Sequence, residues 1–316
     1  MDWIYVALGL TILLLAGDAL VKGAVNLSLR LGIPALIVSL TIVALGTSAP
    51  ELLVSVQAVL RDAPGIALGN VVGSNTANIL LVLGIPALMK GLSTGESDTR
   101  HSYILMMGIS LVFIALCVTG PLTWWHGFVL LALLVLMLTD QFRRARTHRR
   151  LGASCTAAEE DLEGADPQMP AWKIALFLVL GLIGLPLGAD LLVDGSVDIA
   201  RDFGISETVI GLTLVALGTS APELATTVMA ALRNQTDVAL GNVIGSNIFN
   251  LAGIIGITAL VGPIPVDAEF LRFDLWVMLG ASALIAPFVF LGWNVNRPAG
   301  AVLTLAYLGY LSLLLV

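Results

Sequence analysis

The strongest constraint on this chain is a series of apolar runs separated by short polar breaks, at roughly 3–29, 33–60, 65–89, 102–118, 122–142, 172–200, 205–232, 238–261, 274–292 and 299–316. A bilayer-spanning helix needs ~20 mostly apolar residues, within a range of about 17–25, so ten runs predict ten crossings. Composition agrees: 58% of the 316 residues are hydrophobic and 12% charged, against about 25% charged in a soluble domain. Lipid offers no partner to an open backbone group, so runs of this length are expected to be helices. The fold class is therefore an all-α integral membrane protein.

The N-terminus, "MDWIYVALGL", has no basic segment and no small-residue cleavage pattern, and reads as a retained first helix. Cys117 lies in an apolar run and Cys155 in a polar stretch, neither at metal-ligand spacing. A net charge of −7 disfavours nucleic acid as a partner.

Residues 143–170 form the one substantial polar segment, a basic block "RRARTHRR" followed by the acidic "EEDLEGAD". It reads as a linker between a first five-helix unit, 1–142, and a second, 171–316. Cytoplasmic loops collect Lys and Arg, which places the linker inside the cell and both termini outside. That topology puts 11 Lys and Arg in inside loops and three (Arg61, Arg201, Arg272) in outside loops, with Lys22 inside the first helix.

The nine residues "ALGTSAPEL" occur at 44–52 and again at 216–224. Sliding the chain by 172 positions aligns 44–88 with 216–260 without a gap and matches 26 of 45 residues. The same offset pairs Asp18 with Asp190 and Gly32 with Gly204. Five helices per unit is an odd number, so the second copy enters the membrane in the opposite sense. The expected architecture is ten transmembrane helices arranged as two inverted five-helix repeats, a plan whose substrate sites lie near the midplane at the repeat interface.

Four polar clusters interrupt the apolar runs: Thr47, Ser48 and Glu51; Asn70, Ser74, Asn75 and Asn78; Thr219, Ser220 and Glu223; Asn242, Ser246, Asn247 and Asn250. Thr47 and Glu51 are four apart, as are Asn70, Ser74 and Asn78, a spacing that gathers each set on one helix face. A carboxylate at a helix centre costs roughly 2.5–3.5 kcal/mol on insertion scales, about 5–7 kcal/mol for Glu51 and Glu223 together. A bound cation offsets that cost. An oxygen-only ligand set suits alkali ions, Mg²⁺ or Ca²⁺ rather than copper, zinc or iron, and His101, His126 and His148 lie away from the motifs. Pro50 and Pro222 lack an N–H and crowd the carbonyls of Gly46 and Gly218, which predicts broken second and seventh helices with backbone oxygens open towards the site. Two carboxylates balance one divalent or two monovalent ions. Flexible coordination by six to eight oxygens favours Ca²⁺ over Mg²⁺, and exclusive occupancy by Ca²⁺ or Na⁺ is the thermodynamic basis of antiport.

"GTSAPE" with "GNVVGSNTANI", and again "GTSAPE" with "GNVIGSNIFNL", resemble the two signature repeats of the sodium/calcium exchanger superfamily, and the resemblance covers essentially the whole chain. It implies that Glu51 and Glu223 are the calcium carboxylates and that the carbonyls of Thr47 and Thr219 complete that site. It implies flanking sodium sites from Ser48, Ser74, Asn78, Ser220, Ser246 and Asn250, with the carbonyls of Ala44 and Ala216. Helices 1 and 6 would slide across a four-helix core. Some relatives, including potassium-dependent ones, carry Asp where this chain has Asn250, which argues against potassium coupling and leaves two formal charges in the core. The short linker lacks the large calcium-sensing domains of animal relatives and looks prokaryotic.

Plainer roles account for other residues. Asn70, Asn75, Asn242 and Asn247 read as packing groups that tie broken helices together, within the G-x-x-x-G stretches "GNVVG" and "GNVIG". Asp190, Asp194 and Asp198 read as a helix end leaning into water, with an ion entry path or a gate as the alternative, and the six tryptophans as interfacial anchors. The expected function is a plasma-membrane Na⁺/Ca²⁺ antiporter with alternating access, with no enzymatic activity and no cofactor. The alternatives are a Ca²⁺/H⁺ antiporter, a cation channel and a passive calcium sensor.

Overall fold

The structure is a computed structural model that describes residues 2–62, 64–93, 99–150, 166, 168–202 and 216–314. Among the described residues the regular elements are helices, and β pairing is confined to the isolated bridges Leu92–Val295 and Leu122–Ile264. Seven helices are long and apolar enough to cross a membrane: α1 (Asp2–Leu31), α4 (Pro64–Met89), α5 (Arg100–Val118), α6 (Trp124–Arg150), α7 (Ala171–Asp202), α10 (Thr236–Val261) and α11 (Phe270–Phe290). The bent pair α2 (Ala35–Thr47) and α3 (Ala49–Leu60) makes an eighth span. The short α8 (Ala216–Thr219) and α9 (Ala221–Leu232) form the end of the run expected at 205–232, whose first part, like Gly204, lies outside the described residues. The last run forms α12 (Arg297–Leu314).

Local sequence accounts for the punctuation. Gly32, with φ +65°, follows α1 while the Ile33 amide bonds back to the Ser28 carbonyl, a helix stop that needs a left-handed residue. Pro34 then starts α2. The basic block at 143–150 continues α6 as helix, while Cys155 and most of 151–167 lie outside the described residues. Trp3, Trp124, Trp125, Trp172, Trp276 and Trp293 are all exposed.

The core is built on α4 and α10, whose most apolar windows are 78% and 89% buried, against 33% for α1 and 22% for α7. These central helices run in opposite directions. At one end of the bundle the Lys90 ammonium, just after α4, bonds to the Leu232 carbonyl at 2.6 Å, beside the Leu92–Val295 bridge. At the other end Val59, late in α3, abuts Gly262 at the close of α10. Ser39 in α2 donates to the Val238 carbonyl of α10 at 2.6 Å. Gly245 makes this packing possible, because a Cβ there would come within 2.6 Å of the Leu40 carbonyl oxygen.

Outside the core, α1 and α7 pack along most of their length. A Cβ on Gly188 of α7 would lie 2.9 Å from the Leu13 amide nitrogen, and one on Gly9 of α1 would lie 2.6 Å from that of Leu192. Close backbone approach of this kind is how membrane helices associate when lipid is as apolar as their side chains. The pair meets the core unequally. α1 packs along α9, where Gly17 faces the Ala225 carbonyl, whereas α7 makes no extended contact with α3 among the described residues.

Candidate cation-binding site

The duplicated nonapeptide folds the same way twice. The helix breaks at Ser48 (φ −84°, ψ 6°) between α2 and α3 and at Ser220 (φ −88°, ψ 3°) between α8 and α9, each just before the first turn of the next helix, which holds Pro50 or Pro222 and a glutamate. The bend between α2 and α3 is 43°. Proline tolerates a first helical turn, where its missing N–H has no partner to lose, so the break is written in the peptide itself. It also corrects the reading of Thr47 and Glu51 as one helix face: Thr47 closes α2 while Glu51 opens α3, and the break turns them towards a shared interior.

Glu51 and Glu223 are each 1% exposed. The Ser48 hydroxyl donates to Glu223 Oε1 at 3.1 Å, and the Ser246 hydroxyl reaches the same oxygen at 3.5 Å. Thr47 donates its hydroxyl to Asn242 Oδ1 at 3.2 Å and to the Ala44 carbonyl at 3.3 Å, and stands 3.5 Å from Ser246 Oγ. The first copy of the motif therefore touches the carboxylate of the second. The Ala44 carbonyl also accepts the Ser48 amide at 3.0 Å. Ser74 is buried on α4, Thr219 closes α8, and Ala216 begins α8 directly after the undescribed segment.

Asparagines frame the site in matched pairs. Asn70 Nδ2 donates to the Glu51 carbonyl (3.3 Å) and Ser55 Oγ (3.1 Å), while Asn242 Nδ2 donates to the Glu223 carbonyl (3.4 Å) and Thr227 Oγ1 (3.2 Å). They hold each glutamate-bearing helix against the next, as packing groups would. Asn75 donates to the Asn247 carbonyl at 3.1 Å, and Asn247 returns a bond to the Asn75 carbonyl at 3.4 Å. Asn78 donates to Asn247 Oδ1 at 3.0 Å. Sequence reasoning missed Ser55 and Thr227, although the offset of 172 pairs them.

Asn78 begins a π-helical turn in α4 (Asn78–Val82), and Asn250 lies in the matching turn of α10 (Phe249–Ile254). Such turns are frequent at functional sites. Among the described residues several buried oxygens have no hydrogen-bond partner, including Oε2 of Glu51 and of Glu223, Oγ of Ser220, and Oδ1 of Asn75, Asn78 and Asn250. Buried polar atoms are nearly always satisfied, so a cluster of orphans demands an explanation. Among the described residues no group of three or more His, Cys, Asp or Glu side chains converges. What the cluster offers a cation is two carboxylates and neutral oxygens. A cavity of about 330 Å³ lined by Leu192, Val193, Gly218, Ser220 and Leu224, among others, reaches the Ser220 edge of the cluster.

The chain is also similar to known proteins along nearly its whole length. The sodium/calcium exchanger protein family profile matches residues 1–143 and 173–316. Inner membrane protein YrbG of Escherichia coli is 36% identical over 97% of this chain and 94% of its own length. Sodium/calcium exchanger MaX1 of Methanosarcina acetivorans is 33% identical over 99% and 98%. A solved structure of the sodium-calcium exchanger NCX_Mj soaked with Na⁺ and Ca²⁺ superposes with a TM-score of 0.83 and 30% identity, covering 98% of this chain and 97% of that one.

Proposed function

The chain belongs to the sodium/calcium exchanger family, and from that premise we propose that it exchanges Na⁺ for Ca²⁺ by alternating access, with both ions held in turn at the cluster around Glu51 and Glu223. Membership makes it a multi-pass membrane antiporter of cations, not an enzyme. The observation that carries the reading is the Ser48–Glu223 hydrogen bond, because it joins the two copies of the motif around one locus.

In this reading Glu51, Glu223 and the carbonyls of Thr47 and Thr219 take Ca²⁺. Ser48, Ser74, Asn78, Ser220, Ser246 and Asn250, with the carbonyls of Ala44 and Ala216, take Na⁺. The orphaned oxygens of both glutamates, Ser220, Asn78 and Asn250 support that assignment. Calcium accepts six to eight such oxygens in flexible geometry, and two carboxylates neutralise one Ca²⁺ or two Na⁺. Either cargo excludes the other, so only a loaded site presents a neutralised core that can cross between access states.

The architecture of the proposal is ten helices in two inverted five-helix repeats, 1–142 and 171–316, joined by a linker at 143–170. The opposed directions of α4 and α10 and the matched asparagine bonds support it. The Lys and Arg distribution supports a cytoplasmic linker with both termini outside, and the likeness to YrbG supports an inner membrane.

Purified protein in liposomes should take up radiolabelled calcium when sodium is loaded on the opposite face. Uptake driven by a proton gradient without sodium would replace sodium coupling with proton coupling, and an uncoupled conductance would make the protein a channel.

A further inference from the structure

Asp18 of α1 forms an ion pair with Arg233, the residue that follows α9. The side chains are 25% and 14% exposed, which screens the pair less than a surface one. Lys22, one turn along α1, stands 3.9 Å from the same carboxylate. The offset of 172 carries Asp18 onto Asp190 and Arg61 onto Arg233, so both partners are written twice with the same residue types. The turns that hold the arginines also match: Asp62 has φ 58° and Asn234 φ 56°.

The second pair is not made. Asp190 is exposed on α7, and neither it nor Arg61 forms an ion pair among the described residues. The difference follows the packing. α1 lies along α9, where Asp18 meets Arg233, and among the described residues α7 makes no extended contact with α3, the helix that Arg61 follows. Arg233 belongs to the end of the bundle marked by the Lys90–Leu232 bond, and Arg61 to the end marked by Val59 and Gly262. Because α1 and α7 interlock through glycines, a displacement of one carries the other.

We propose that Asp18–Arg233 and Asp190–Arg61 are alternating latches, the first holding the Arg233 end closed and the second forming at the Arg61 end when the α1–α7 unit shifts. These four are positioning residues: they touch no ion of the proposed site and set which face can reach it. A ligand-driven change of access needs a two-state element that is biased in each state, and two exclusive ion pairs on one rigid unit supply that bias symmetrically. Asp194 stands where Lys22 does in the first copy, so the two latches differ in strength.

The inference rests on the alternating-access reading, and its test separates the two. Spin labels at exposed Leu187 on α7 and Leu60 on α3, in cysteine-depleted full-length protein in liposomes, report the gap at the Arg61 end whether or not transport is sodium-coupled. Asp18→Asn and Arg233→Gln should enrich the short-distance population about fivefold, the low end of conformational couplings. Asp190→Asn and Arg61→Gln should deplete it. The charge exchange Asp18→Arg with Arg233→Asp should restore the wild-type distribution, which a merely structural defect would not allow. In calcium uptake, apparent affinity at the Arg233 face should improve with Asp18→Asn and weaken with Asp190→Asn. Shifts of the same sign in all four variants, or failure of the exchange to restore, would overturn the latches. Opposite distance shifts in a protein without sodium-driven uptake would uphold them and refute sodium coupling instead.

Discussion

Two identical peptides, 44–52 and 216–224, meet different surroundings in this molecule. Their backbones break at the same serine with nearly the same dihedrals, yet Ser48 donates to Glu223 at 3.1 Å while the hydroxyl of Ser220 has no partner among the described residues. Oε1 of Glu223 also receives Ser246, while Oε2 of both glutamates is without a partner among the described residues. Local sequence sets the break and brings a carboxylate to it. Which serine meets a carboxylate is decided by packing between the copies, and the outer helices show the same inequality: α1 lies along α9, while α7 makes no extended contact with α3 among the described residues. A repeat protein can thus hold two copies of one motif in unequal states at once, which is what a carrier open to one face at a time requires.

The largest expected effect removes the feature that both copies share. Glu51→Gln and Glu223→Gln each halve the charge of the cluster, and sodium-driven calcium uptake should fall to background in both. A fully active variant would break the equivalence of the two acids. Next in size is the asparagine clamp at the repeat interface. Asn247 donates to the Asn75 carbonyl and accepts from both the clamp's neighbour Asn78 and, through its carbonyl, Asn75. Asn247→Ala strands Asn78 and should lower thermal stability by about 2–3 kcal/mol, more than Asn75→Ala, as melting in detergent would read.

A smaller effect sharpens the inequality directly. In ion-free protein Ser48→Ala leaves a buried carboxylate short of a donor and should cost about 1.5–3 kcal/mol, whereas Ser220→Ala removes a hydroxyl that bonds to nothing. Equal melting temperatures for the two would erase the difference. The smallest effect concerns the props: Thr227→Val deprives Asn242 of an acceptor in the second copy and should destabilise by about 1 kcal/mol. Ser55→Ala, its counterpart against Asn70, should do the same.

Much of this was legible in one dimension. Apolar runs declared the seven spanning helices and the bent pair that the described residues form, because lipid permits no open backbone, and the prolines after Ser48 and Ser220 declared the breaks. The roles of Asn70 and Asn242 as ties between broken helices were readable from residue type. Spacing misled once, since a four-residue interval means a common face only on an unbroken helix, and Ser48 interrupts that of Thr47 and Glu51. The partners Ser55, Thr227 and Arg233 went unread, although the repeat offset marks all three, because hydroxyls and loop arginines are too common to signal anything alone.

By itself the sequence determined that the chain is helical and membrane-spanning, that it is duplicated, and that each copy carries one acid beside one proline. These are properties of short stretches, set by solvent, backbone sterics and the absence of a proline N–H. Only the tertiary structure decided that the two acids share one cluster, that Asn75 and Asn247 bond reciprocally across it, and that Asp18 pairs with Arg233 while Asp190 forms no ion pair among the described residues. Contacts between residues about 170–215 positions apart depend on how helices are pressed together, and two copies of one sequence cannot say which of them is pressed.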